Sequence, residues 1–203
     1  MADGYARALP VPKGSFFLFG VRGVGKSTWA RTNLPVNGYL DILDDTLLTT
    51  RLRAFEGRLR VRERRHPKLY WTDTGLVRAV KKQVGPVAIE ERGPLLEGWV
   101  LSLLRAYGEV GRLFDEISYW ASANVEVDFL LERGGEHLAL EVKSSPRIGS
   151  AHLAGLRAVA DLRSVKRRIL VYPGRLARRT EDGIEIWPLA TLVERLEAGT
   201  LWR

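Results

Sequence analysis

The sequence predicts an α/β protein in two unequal parts, and three observations lead there. A glycine-rich turn between Gly20 and Gly25 separates a short apolar run, residues 15–19, from a helical stretch. Three strand-like runs follow in quick order between residues 116 and 144. Apolar residues at helical spacing stand on both sides of those strands, as expected when helices cover a sheet.

The elements follow in order. Residues 15–19 (Ser-Phe-Phe-Leu-Phe) read as a buried strand, and residues 26–33 as a helix stopped by Pro35. Residues 39–43 read as a second strand and residues 44–55 as a second helix. From 56 to 67 the chain is polar and basic without a hydrophobic period, which divides it into residues 1–60 and 61–203. Residues 68–76 then form an aromatic strand and turn, followed by a basic helix near 77–83. Pro94 suits the first position of a helix, where its missing N–H costs nothing. Leu95, Leu96, Trp99, Val100, Leu103 and Leu104 continue that helix on one face. Strands are expected at 116–121, 125–131 and 137–144, with Gly134-Gly135 turning the chain between the last two. A helix at 151–162, strands at 168–172 and 184–187, and a helix from 189 to 198 capped by Gly199 complete the chain.

Composition narrows the classes. The chain has 203 residues, 45% apolar and 28% charged, the balance of a globular domain. No run approaches the roughly 20 apolar residues of a membrane span, and the first residues lack a secretory pattern. Cysteine is absent, which excludes disulfides and thiolate ligands. A cytoplasmic protein is the expectation. His66, His137 and His152 have no metal-ligand spacing. The net charge is +8, concentrated in two clusters. One holds Arg51, Arg53, Arg58, Arg60, Arg62, Arg64, Arg65 and Lys68. The other holds Arg163, Lys166, Arg167, Arg168, Arg175, Arg178 and Arg179. Such clusters suit a phosphate backbone, or form an ordinary solvated surface.

Gly20-Val21-Arg22-Gly23-Val24-Gly25-Lys26-Ser27 fits G-x-x-x-x-G-K-[ST] at every fixed position. The glycines let backbone N–H groups curl around phosphate oxygens. Lys26 is placed for the β and γ phosphates, and Ser27 for Mg²⁺. Gly20, Gly23, Gly25, Lys26, Ser27 and Thr28 are the nucleotide-binding set, with ATP and Mg²⁺ as ligands. A working ATPase also needs an acid ending a later strand. Asp41, Asp44, Asp45 and Asp73 are poor candidates, and too little chain remains for a full nucleotide-binding sheet. Hydrolysis is therefore doubtful.

In the second part, strand parity puts Leu138, Leu140 and Val142 on one face and Ala139, Glu141 and Lys143 on the other. On the preceding strand Val125, Val127, Phe129 and Leu131 share a face, leaving Glu126, Asp128 and Leu130 opposite. A hairpin brings Asp128 alongside Glu141 and Lys143, with Glu97 on the helix upstream. Paired carboxylates at Asp128 and Glu141 suit a hard ion such as Mg²⁺. A neighbouring lysine can stabilise charge in phosphodiester cleavage. The plain reading is a Glu141–Lys143 salt bridge.

This order of helix, three strands, helix and strand resembles the PD-(D/E)XK nuclease-like fold. Lys68-Leu69-Tyr70-Trp71-Thr72-Asp73-Thr74-Gly75-Leu76, Gly93-Pro94-Leu95-Leu96-Glu97 and Val127-Asp128-Phe129-Leu130 resemble AAA-type ATP-binding proteins with a C-terminal nuclease-like domain of unknown function. The resemblance implies a truncated P-loop βαβα unit followed by a restriction-endonuclease-like αβββαβ domain with a mixed sheet. It implies ATP binding, and Glu97, Asp128, Glu141 and Lys143 as the nuclease-like set. The middle of the ATPase is missing. The leading expectation is a nucleotide-binding protein with affinity for nucleic acid. The alternatives are a Mg²⁺-dependent nuclease, or a non-catalytic interaction module pairing with a partner or with itself as a homo-oligomer.

Overall fold

A computed structural model describes residues 36–56, 66–122 and 124–203. The Gly20–Ser27 loop with Thr28, the strand and helix expected around it, and Arg58 to Arg65 lie outside the described residues. The chain divides into two units, Met1–Leu47 and Leu48–Arg203.

Within the first unit, helix α1 spans Val36–Asp45, where the sequence predicts a strand at 39–43. Leu40 and Leu43, three residues apart, are both partly buried while Asp41 and Ile42 are exposed. That is helical spacing, which a short apolar run does not distinguish from a strand.

The second unit begins with strand β1 (Thr49–Leu52), in place of the expected helix, paired antiparallel with β2 (Lys68–Trp71). The β-branched pair Thr49-Thr50 favours the extended form. Helix α2 (Thr74–Val80) is capped by Asp73, whose Oδ1 accepts from the Gly75 amide at 2.6 Å and the Leu76 amide at 3.4 Å. Asp73→Ala should cost about 1 kcal/mol of stability, measured as a lower denaturant midpoint with an unchanged slope.

Helix α3 spans Ile89–Gly111. It begins five residues before Pro94: Ala88 holds the N-cap position without a side-chain hydrogen bond, and Glu90 and Glu91 in the first turn complement the helix's positive end. Pro94 is thus carried inside the helix. Strands β3 (Glu116–Ser122), β4 (Val125–Arg133) and β5 (Glu136–Val142) form an antiparallel meander. Gly134 and Gly135 make its second turn at φ 57° and 80°, conformations that favour glycine.

The helix expected at 151–162 is broken. Short 3₁₀ turns at Ser150–Leu153 and Val159–Asp161 flank α4 (Ala154–Ala158). Strand β6 (Val165–Tyr172) returns parallel to β5. The two-residue strand β7 (Arg178–Arg179) pairs antiparallel with β8 (Glu185–Pro188), which lies parallel to β6. The six-stranded mixed sheet has the order β3-β4-β5-β6-β8-β7, and β1-β2 form a separate small sheet. Helix α5 spans Leu189–Glu197, with Gly199 beyond it at φ 63°.

One face of the sheet packs Phe129, Leu131, Leu138, Leu140 and Ile169 against Val100, Leu104, Leu192 and Leu196 of α3 and α5. The opposite face packs Val127, Leu130, Ala139 and Leu170 against Leu153 and Leu156. Both faces are covered, which explains the near-continuous apolar runs in β4 and β6. Among the described residues no helix is long and apolar enough to cross a membrane.

Candidate functional site

The register of β4 decides where the acids point. Ser118 pairs with Leu130 and Trp120 with Val127, so β3 advances two residues while β4 advances three. Asp128 and Phe129 therefore both stand opposite Tyr119, a β-bulge. Strict alternation groups Val127 with Phe129, and Asp128 with Leu130. Instead Val127 and Leu130 share one core, and Phe129 joins the other. The bulge turns Asp128 to the side of α3 and β2. Tyr119, left out of the β4 ladder, donates its amide to the Arg53 carbonyl at 2.9 Å, and its own carbonyl accepts from the Phe55 amide at 2.7 Å.

Glu97, Asp128, Glu141 and Lys143 reach this region, as the hairpin and the upstream helix lead one to expect. Asp128 Oδ2 accepts from the Val142 amide at 2.8 Å. Lys143 donates to Glu141 Oε1. The other Glu141 oxygen, Oε2, is buried and has no hydrogen-bond partner among the described residues. Asp128 is 7% exposed and Glu141 5%.

Lys68 fills the space between the acids, although its place in the sequence points to a basic surface cluster. Its ammonium lies 3.2 Å from Glu97, 2.5 Å from Glu126 and 3.5 Å from Asp128. The Tyr119 ring stands 5.3 Å from the same nitrogen, within cation–π range. Tyr70, two residues along β2 and so on the same face, donates its hydroxyl to Glu97 Oε1. Sequence reasoning misses Lys68, Tyr70 and Glu126 as members of the site. The available signal is the i, i+2 pairing of a lysine and a tyrosine on a short strand.

The electrostatics follow from burial. Burial, then the charges of Glu141 and Glu97, push the Asp128 carboxyl up to about 8. Burial also raises Glu141, against the pull of Lys143. Burial opposes the Lys68 charge, but Glu97, Asp128 and Glu126 outweigh it and hold the ammonium above its ordinary value. Burial likewise opposes the Lys143 charge, and Glu141 outweighs it. Burial and Glu97 keep the Tyr70 phenol protonated far above its usual range. Asp128 and Glu141 are thus both shifted toward the protonated form, and their titrations are coupled.

Mg²⁺ wants oxygens near 2.1 Å in an octahedron. Carboxylates are the right chemistry, and Glu141 Oε2 accepts no hydrogen bond among the described residues, while Lys143 holds the other oxygen. Asp128 and Glu97, however, are already engaged by the Lys68 ammonium. Among the described residues no group of three His, Cys, Asp or Glu side chains is arranged to hold a metal ion. As arranged, the residues do not fit the ion.

Of the second basic cluster, Arg167 is committed inward. It pairs with Glu185 at 2.7 Å, donates to the Leu201 and Arg203 carbonyls, and lies over Trp187. Arg168 donates to the Leu156 and Asp182 carbonyls. Arg163, Lys166, Arg175, Arg178 and Arg179 remain exposed, the last two on the edge strand β7. A cavity of about 570 Å³ is lined by Arg78, Arg92, Leu95, Leu96, Trp99 and Ser144 among others. It borrows the chain neighbours of Glu97 and Lys143.

Fold and site together define a mixed-sheet α/β domain whose buried acids are balanced by two lysines. Residues 92–192 match the family model described as "Domain of unknown function (DUF4143)". Residues 26–86 match a second model, "Domain of unknown function (DUF8612)". Uncharacterized proteins of Mycobacterium bovis and Mycobacterium tuberculosis are each 34% identical over 143 residues, 67% of this chain. The chain spans 30% of the length of these curated relatives. The cluster draws on both matched segments: Lys68 and Tyr70 come from the first, the acids and Lys143 from the second.

Proposed function

We propose that the chain is a nucleotide-phosphate-binding protein whose nuclease-like domain binds nucleic acid without cutting it. Lys68 carries this reading. An ammonium among Glu97, Glu126 and Asp128 neutralises the acids that a phosphodiesterase would use to hold its metal. Exposed Arg163, Lys166, Arg175, Arg178 and Arg179 supply cations for a phosphate backbone. Trp99, 39% exposed beside the cavity, offers a ring on which a base can stack. The Gly20–Ser27 motif supports ATP with Mg²⁺ at the amino-terminal part, through Gly20, Gly23, Gly25, Lys26, Ser27 and Thr28.

Fluorescence anisotropy with labelled DNA and RNA, in Mg²⁺, tests both halves. Binding that weakens with salt and leaves the strands intact is expected. Reversing Arg178 and Arg179 to Glu should lower the salt slope by about 0.7–0.9 for each phosphate that these arginines neutralise. An unchanged slope removes those residues from the interface. Lys26→Ala should abolish binding of labelled ATP while the circular dichroism spectrum stays the same; retained binding refutes the loop's role.

The alternative, a Mg²⁺-dependent nuclease, is favoured by the partnerless Glu141 Oε2 beside Lys143. It requires cleavage by the wild-type chain that disappears in Asp128→Ala and Glu141→Ala.

A further inference from the structure

We infer that Lys68 is a tethered counter-ion standing where a divalent cation would otherwise sit, and that removing its ammonium turns Glu97, Asp128 and Glu141 into a divalent-metal site. This deepens the non-cleaving reading above and rests on it.

An ammonium has three protons to donate. Lys68 has three carboxylate partners, from two elements: Glu97 on α3, and Glu126 and Asp128 on β4. It donates a hydrogen bond to Glu97 Oε1, its charge is shared among the three carboxylates, and the Tyr119 ring lies against it as well. Glu141 Oε2 is buried and left without a hydrogen-bond partner among the described residues. A monovalent, three-donor cation leaves that acceptor over; a six-coordinate divalent ion has room for it.

Buried carboxylates are unfavourable without compensating charge, and Lys68 supplies it to Glu97 and Asp128 as Lys143 does to Glu141. A lysine on the same chain competes at high effective concentration. Strand β2, which carries it, is hydrogen-bonded to β1 and not to the six-stranded sheet. The cation and the acids also fall in separate family matches: Lys68 within residues 26–86, and Glu97, Asp128 and Glu141 within residues 92–192. The occupant of the acid site is thus supplied by a different segment from the one that builds it.

The test is calorimetric titration of the nucleotide-free full chain with Mn²⁺. Lys68→Met should bind one Mn²⁺ per chain about tenfold or more tighter than wild type, and Mn²⁺ should raise its melting temperature while leaving wild type unmoved. Lys68→Arg, which keeps a cation, should behave as wild type. Adding Asp128→Asn to Lys68→Met should abolish the gain. If Lys68→Met fails to fold in metal-free buffer, Mn²⁺ should restore its fold; absence of that rescue overturns the inference. So does equal Mn²⁺ affinity in wild type and Lys68→Met, or a folded Lys68→Met that binds none. Cleavage of nucleic acid by wild type would sink the non-cleaving reading by a separate measurement.

Discussion

Gly155→Ala should destabilise the Leu48–Arg203 unit by about 3 kcal/mol, the upper range for forced overpacking. A Cβ at Gly155 would stand 2.0 Å from the Glu126 carbonyl oxygen and 3.3 Å from Val127 Cγ2. The nearer of these atoms belongs to the backbone, so no rotamer change relieves the clash. Helix α4 must lift from β4 just beside the bulge that aims Asp128. A second consequence follows at the site: Glu126 and Asp128 shift against Lys68, and the Lys68–Glu126 pair at 2.5 Å is the first to lengthen. Chemical denaturation should give a lower midpoint with an unchanged slope. A midpoint equal to wild type would mean that α4 does not bear on β4 as described.

Asp128→Asn should flatten the pH dependence of stability. In the folded chain the Asp128 carboxyl is raised, by burial and by Glu141 and Glu97, to about 8 from 3.8. The folded state therefore binds the proton more tightly than the unfolded chain. The stability this provides is fully present below about pH 4 and is lost as pH rises through about 8. A tenfold difference in proton affinity between the two states is worth about 1.4 kcal/mol. Wild type should therefore lose on the order of a few kcal/mol across that window. Lys68 moderates the loss by favouring the charged form. Asparagine keeps an oxygen for the Val142 amide, which Asp128 now serves at 2.8 Å, but cannot titrate. Urea midpoints at pH 5 and pH 8 should diverge for wild type and lie closer together for Asp128→Asn. Equal pH slopes would show that Asp128 is not the buried titrating group.

Much of the sheet can be read from the sequence because its signals are local. Alternation in β5, the paired glycines at 134 and 135, and the helical spacing from Leu95 to Leu104 each fix an element without help from distant residues. The same local signals bring Glu97, Asp128, Glu141 and Lys143 into one region. Two things are not. Val36–Asp45 is too short a run for apolar spacing alone to separate helix from strand, and reading it as a strand displaces the next element, Thr49–Leu52, as well. The bulge at Asp128 leaves no local mark in Val-Glu-Val-Asp-Phe-Leu. It exists because Arg53 and Phe55, from a distant part of the chain, take the backbone groups of Tyr119. Lys68 is hidden by its neighbours: in a basic stretch, one lysine that turns inward looks like the rest.

Crystals of the wild-type chain soaked in Mn²⁺ would test the central claim most directly, by anomalous scattering. The prediction is Lys68 density between Glu97, Glu126 and Asp128 and no manganese peak among them. A peak bound by Asp128 and Glu141, with Lys68 swung away, would contradict it.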